Sequence, residues 1–345
     1  MKNLYLLFAA AVAISVLQSQ RLFAQYDQIY GAKGTPTNGT ITKMTPSEVT
    51  IKVSNVERPF PVNEIKRIVF ADEPLELGRA REAILAERYE DAAADLARID
   101  ASKLRDVVKQ DVEYYRAYAA GKLALAGNGD KRAAVGLLRS FVESNPGSYH
   151  YFEANQLIGD LAVSLGIFNA AAEYYAKVGQ APWIDYKMRA AVLEGRALLA
   201  QDNYTEALQK FEAVAKAEVT GSDALKQKAF ANVGRALCLA HTGKPQEGIQ
   251  ILENIIKTEN PADTELFARV YNALGACYQK ANQTKEALMA YLHVDILFYG
   301  DAESHAEALY QLSKLWNAVN RSDRAVESRE MLRERYAGSV WASKT

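Results

Sequence analysis

The chain has 345 residues, 49% of them apolar and 24% charged, with a formal charge of −1. That balance excludes a disordered or collagen-like chain and gives the whole molecule no pull toward nucleic acid or an anionic membrane. The length allows two ordinary domains or one long repeat array.

At the start of the chain, Lys2 precedes an apolar run from Leu4 to Leu17, and Leu22-Phe23-Ala24 then places a small residue before Gln25. A charged start, an apolar centre and a small residue at a cut is the layout of a secretory signal. The run is shorter than the roughly 20 apolar residues of a bilayer span. Export with cleavage after residue 24 is the expectation, and an uncleaved anchor is the alternative. Loss of residues 1–24 removes Lys2 and Arg21, leaving 39 basic and 42 acidic residues, a charge of −3, and no integral membrane span. The two cysteines, Cys238 and Cys277, lie far from the cut, which argues against lipid attachment there. They are expected on first helices of neighbouring repeats, as buried small hydrophobes. Packed helix axes lie about 8–10 Å apart, whereas a disulfide needs Cα atoms within about 7 Å.

Residues 27–72 read as a small β module. Thr35-Pro36-Thr37-Asn38-Gly39 has turn chemistry, Thr40 to Met44 alternates, and Val49, Ile51 and Val53 alternate with polar residues. Arg58-Pro59-Phe60-Pro61 breaks the run, and Ile65 to Phe70 closes it. Three or four short strands in a curled antiparallel sheet are expected, with a spacing similar to SH3-like or Sm-like minibarrels. A unit this small buries little core alone, so it is expected to pack on the first helices as a cap. A peptide- or glycan-binding role is the alternative. Ala71-Asp72-Glu73-Pro74 is the hinge, and Pro74 suits the first turn of a helix.

From residue 75 the chain reads as helical, with apolar residues recurring at three and four. Breaks fall at Gly127-Asn128-Gly129-Asp130, Asn145-Pro146-Gly147, Gly179-Gln180-Ala181-Pro182, Gly243-Lys244-Pro245 and Asn260-Pro261. One pattern recurs at intervals of 36 to 41 residues. Gly159, Gly195 and Gly275 are each followed twelve positions later by an alanine (Ala171, Ala207, Ala287), then four later by an aromatic (Tyr175, Phe211, Tyr291). Two helices crossing closely leave no room for a side chain at the contact, and the aromatic one turn on fills the wedge beyond it.

Tyr271, Leu274, Gly275 and Tyr278, followed by Ala287 and Tyr291, resemble the tetratricopeptide repeat. Gly121 with Ala134 fits with one extra residue. Gly234 opens a further unit in which Gly243 comes late and Gly248 replaces the alanine, so a longer loop is expected there. Tyr89, Ala92 and Leu96 mark a degenerate first unit. Leu312, Trp316, Ala325 and Leu332 mark a last one, with Ser313 and Arg329 off the pattern. The resemblance implies a mainly α, right-handed solenoid of about seven αα-hairpins over residues 75–340. The tail Tyr336 to Ala342 is similar to repeats of bacterial envelope-assembly proteins.

In that family the first helix of each hairpin lines the concave face, with the second and ninth positions of a unit pointing inward. The resemblance implies that Arg189, Arg196, Lys228, Arg235 and Arg269 form a basic ladder for an acidic or carboxylate-bearing peptide. The alternative is a solvated groove neutralised by acids such as Glu194 and Glu206. At the ninth position stand Asp160, Arg196, Arg235 and Ala276, so the Lys-and-Asn carboxylate clamp that holds chaperone tails is not implied. His150, His241, His293 and His305 have no metal spacing, no Gly-rich loop follows a strand, and Gly-x-Ser-x-Gly is absent. No catalytic residue, cofactor or metal is expected. The reading is a non-catalytic protein-binding scaffold exported to the periplasm, cell envelope or exterior, its oligomeric state open. One alternative is a self-assembling or envelope-assembly component anchored through the β module. Another is an enzyme with an unrecognised site in that module.

Overall fold

The computed structural model describes residues 26–31 and 34–345. The leader expected at residues 1–24 lies outside the described residues. Strands β1 (Asp27–Gly31), β2 (Pro36–Met44), β3 (Glu48–Val53), β4 (Val56–Pro61) and β5 (Ile65–Val69) form an antiparallel sheet ordered β4-β3-β2-β1-β5. That is more than the three or four strands expected. The stretch read as a turn at Thr35–Gly39 mostly belongs to β2, and the proline-rich stretch read as a break is β4. Pro59 and Pro61 are tolerated because β4 is an edge strand, with no neighbour on its far side to need their missing N–H groups. Ser54 and Asn55, both at positive φ (47° and 68°), make the tight β3–β4 turn.

Fourteen α-helices follow among the described residues. They are α1 (Leu75–Leu85), α2 (Tyr89–Ala97), α3 (Asp106–Ala126), α4 (Lys131–Ser144), α5 (Tyr151–Ser164), α6 (Phe168–Val178) and α7 (Ile184–Leu199). Then come α8 (Tyr204–Ala215), α9 (Ser222–His241), α10 (Pro245–Thr258), α11 (Thr264–Lys280), α12 (Thr284–Leu297), α13 (Ala302–Ala318) and α14 (Ser322–Arg335). Consecutive helices pair into seven hairpins, each packed on the next. The glycine notches explain the pairing. A Cβ on Gly159 would stand 2.3 Å from the Tyr175 ring, one on Gly195 2.8 Å from Phe211, and one on Gly275 2.6 Å from Tyr291. Each aromatic is buried in the second helix of its own hairpin, lying flat where only hydrogen leaves space. Cys238 and Cys277 are buried and free, and burial pushes both thiols up to about 12.

The sheet and the first helices share one core. Ile29, Val49, Ile51, Ile68 and Phe70 pack in a single cluster with Leu77, Ala80, Leu96, Val108 and Val112. Buried Asp27 ties the join. Its carboxylate accepts from the backbone N–H groups of Ile41 and Ala71 (2.9 and 3.0 Å) and from Arg105 on the turn before α3 (2.8 Å). The other end of the array curls back on the beginning. Helix α13 touches α3, and the tail beyond α14 rests on the end of α3. There Gly127, at φ 92°, meets Gly338 so closely that a Cβ on Gly338 would lie 2.5 Å from the Gly127 carbonyl oxygen. The solenoid is a closed ring.

Candidate functional site

The first helices α3, α5, α7, α9, α11 and α13 line the inside of this ring. At one side they enclose a cavity of about 270 Å³ bordered by Tyr115, Tyr118 and Lys122 of α3, Glu153, Gln156 and Asp160 of α5, and Arg189 of α7. Glu153 accepts from Tyr114 Oη (3.0 Å) and Asp160 from Tyr175 Oη (2.7 Å). The cations rest on aromatic rings, Arg189 4.4 Å above Tyr186 and Lys122 5.6 Å above Tyr89. Burial raises Asp160, with Arg196 and Tyr175 pulling the other way. Burial acts against Glu153 as well, but His150 and Arg189 together hold it below the usual range.

Across the ring, Arg196 Nη2 of α7 lies 3.3 Å from Glu303 Oε2 of α13. Arg269 Nη2 of α11 approaches the same oxygen at 3.8 Å, and its Nε lies 3.5 Å from Glu265. Burial opposes the ionisation of Asp301, yet Arg269 and Ser304 keep it low. Burial, then repulsion from Glu303, raises Glu307 to about 7. The inner face is therefore mixed in charge, and its neutralising acids are Glu153, Asp160, Glu265, Asp301 and Glu303, from the same helix, adjacent hairpins and hairpin seven, rather than Glu194 or Glu206.

Below the cavity floor lies a buried ionic knot. Arg81 of α1 donates to both oxygens of Glu73 (2.8 Å each) and to Asp111 of α3. Asp111 also accepts from Tyr149 Oη at 2.7 Å and faces His150 Nε2 at 2.9 Å. Burial disfavours the charge on Asp111, but Arg81 and His150 outweigh it and hold its carboxyl at about 2. His150 itself is only 3% exposed and is stacked 3.6 Å from Tyr114, so no substrate reaches it. The knot fastens the sheet–helix hinge to hairpins one to three.

Comparison with solved structures places this arrangement. A tetratricopeptide repeat protein from Parabacteroides merdae ATCC 43184 superposes over 76% of this chain and 92% of its own, with 14% identity and a TM-score of 0.50. A Rap protein complexed with Competence and Sporulation Factor superposes over 78% of this chain and 77% of its own, with 13% identity and a TM-score of 0.52. This is the tetratricopeptide-repeat fold. No protein-family model matches the sequence, and no curated protein matches it either.

With the tetratricopeptide register in hand, the five expected ladder residues separate. Arg189, Arg196 and Arg269 stand on the inner face, the last two converging on Glu303. Lys228 and Arg235 do not join them. Lys228 Nζ donates to the carbonyl of Ala217 just beyond α8 (2.8 Å). Arg235 borders a groove between α9 and α10 with Asn232, Glu247 and Asn254. The cause is a two-residue error in reading hairpin five. A Cβ on Gly234 would strike Phe211 of the preceding hairpin at 2.3 Å, so that glycine serves a neighbour's aromatic. The notch of hairpin five is Ala236, twelve residues before Gly248, whose own Cβ would lie 2.7 Å from the Ala236 carbonyl. Its loop is of ordinary length, since α9 ends at His241 and α10 starts at Pro245. The corrected register puts Phe230 and Leu237 where hairpin four carries Arg189 and Arg196. The sequence reading missed Lys122, Glu153, Glu303 and Glu307 as site residues. The first two occupy ninth and second positions and were legible by that rule. Glu307, six residues before Ser313, is likewise a second position, whereas Glu303 matters only because hairpin seven reaches Arg196 of hairpin four.

Proposed function

We propose that the protein is a non-catalytic binding scaffold that takes a segment of a protein partner into the interior of its ring. One observation carries this reading. Five helices, α3, α5, α7, α11 and α13, turn charged or phenolic side chains toward a shared interior, where a purely structural array would only need to bury apolar surface. The fold agrees, since tetratricopeptide arrays present preformed surfaces for other chains, and one structural neighbour was solved with a bound factor. The leader at residues 1–24 supports export to the periplasm or envelope, and no described helix is long and apolar enough to cross a membrane.

The test is capture from an envelope extract with matched baits. Lys122→Glu combined with Arg189→Glu alters the cavity, while Arg235→Glu alters the outer seam. A genuine partner stays on the wild-type and Arg235→Glu baits and drops about tenfold or more on the double variant, the loss of two charge-assisted contacts. Equal capture by all three baits would remove the interior as the binding site.

A further inference from the structure

We propose that Arg196 and Arg269 form a carboxylate-binding site that Glu303 occupies in the closed ring, so that an acidic partner segment competes with the chain's own last hairpin. The inference rests on the ring-interior reading above and deepens it. Arg196 and Glu303 are 107 residues apart and belong to hairpins four and seven. Arg269 comes from hairpin six, so three separate hairpins deliver one carboxylate oxygen to two guanidiniums.

The seated carboxylate is a poor fit. A charge-assisted N–H···O bond is normally about 2.7–2.9 Å, and a forked guanidinium–carboxylate contact uses two such bonds. Glu303 makes one contact at 3.3 Å and another at 3.8 Å, beyond hydrogen-bond reach. Arg269 Nε is buried beside Glu265 at 3.5 Å without a hydrogen bond, so any better contact must be made at the terminal nitrogens. A carboxylate reaching those nitrogens at hydrogen-bond distance would be held better than Glu303 is. Glu303 is also free to leave, because its side chain is 56% exposed and an exposed pair is easily exchanged for water. Simultaneous occupancy is disfavoured by the local charge. Asp160, Glu303 and Glu307 bear on Arg196, and Asp301, Glu265 and Glu303 on Arg269. Arg196 and Arg269, with Lys122 and Lys131 nearby, already face these five carboxylates, so an incoming acid binds best by displacing one, and Glu303 is more exposed than Glu265.

Titration calorimetry on the full chain tests this with three N-acetylated pentapeptides. One is Glu-Ala-Glu-Ala-Glu amide, one is its glutamine counterpart as the amide, and one is the glutamine peptide with a free C-terminal carboxylate. The first and third separate side-chain from terminal carboxylates as the source. Glu303→Gln keeps the shape and removes the competitor. It is expected to bind a carboxylate-bearing peptide about fivefold or more tightly than wild type, as release of an occupied state requires. Arg196→Gln with Arg269→Gln is expected to abolish the preference for carboxylate over amide. Unchanged or weaker binding by Glu303→Gln, or equal binding of acid and amide peptides, overturns the proposal. If that happens while partner capture still depends on Lys122 and Arg189, the ring-interior reading stands and only the carboxylate competition falls.

Discussion

Glu307 is the inner-face carboxyl that packing raises furthest. It lies one turn beyond Glu303 on α13, with Asn272 Nδ2 of α11 at 3.3 Å. Burial first and Glu303 second move it from 4.5 to about 7, with Arg269 only partly offsetting them. A raised acid binds its proton more tightly folded than unfolded. Its ionisation therefore costs stability, beginning above pH 4.5, growing to about pH 7 and level beyond. Glu307→Gln should match wild type near pH 4.5 and be more stable at pH 8. Allowing for water in the groove, the gain is on the order of 1–3 kcal/mol. Thermal melts at the two pH values read it out, and equal melting temperatures at pH 8 would refute the assignment. The sequence reports its position but not its titration. Glu307 stands at the second position of hairpin seven, but the burial that raises it first depends on how α13 packs, which spacing does not report. The same holds for Asp111, whose partners Arg81 and His150 are 30 and 39 residues away.

At the scale of elements, the hairpin was legible because its decisive contact is local. Gly159, Gly195 and Gly275 meet aromatics sixteen residues downstream in the same hairpin, so spacing alone reported the crossing. Hairpin five misled for the opposite reason. Gly-Arg-Ala-Leu occurs at 195–198 and again at 234–237, but the second glycine answers to Phe211 of the hairpin before it. A repeated string carried two different packing roles, and the implied direction of Lys228 and Arg235 went with it. In the sheet, prolines were read as breaks because strand propensity says nothing about which strand lies at an edge. The closing element is the segment after α14, and it yields a sharp prediction. Gly338→Ala places a methyl 2.5 Å from the Gly127 carbonyl oxygen, a contact of backbone on backbone that no side-chain rotation can relieve. The tail should lift from α3 at a cost of about 1–3 kcal/mol. Limited proteolysis should then cut after Arg335 much faster than in wild type, with far-UV dichroism unchanged. Wild-type resistance would mean that the glycine contact does not hold the closure.

For the whole molecule, the boundary between sheet and solenoid is plain in sequence composition but not in the packing. The sheet was expected as a cap, and its inner face completes the core of hairpins one and two. Leu77, Ala80 and Leu96 are each 0% exposed, and they share their cluster with Ile29, Ile51 and Phe70. Fully burying one large aliphatic or aromatic side chain contributes about 1.5–3 kcal/mol, and whole domains are stable by only about 5–15 kcal/mol. Loss of Ile29, Ile51 and Phe70, together with the Asp27 and Glu73 links, therefore approaches the stability of the first hairpins themselves. A fragment starting at Pro74 should melt at a lower temperature than the full chain and bind a hydrophobic dye. Its early unfolding should be confined to α1–α3, as hydrogen exchange would resolve, because nearest-neighbour packing limits how far a defect spreads in a repeat array. The complementary fragment ending at Asp72 should show no cooperative melt alone, and mixing the two should restore the protection of α1. If the fragment from Pro74 melts like the full chain, the sheet is an independent appendage and the shared core contributes nothing to the ring.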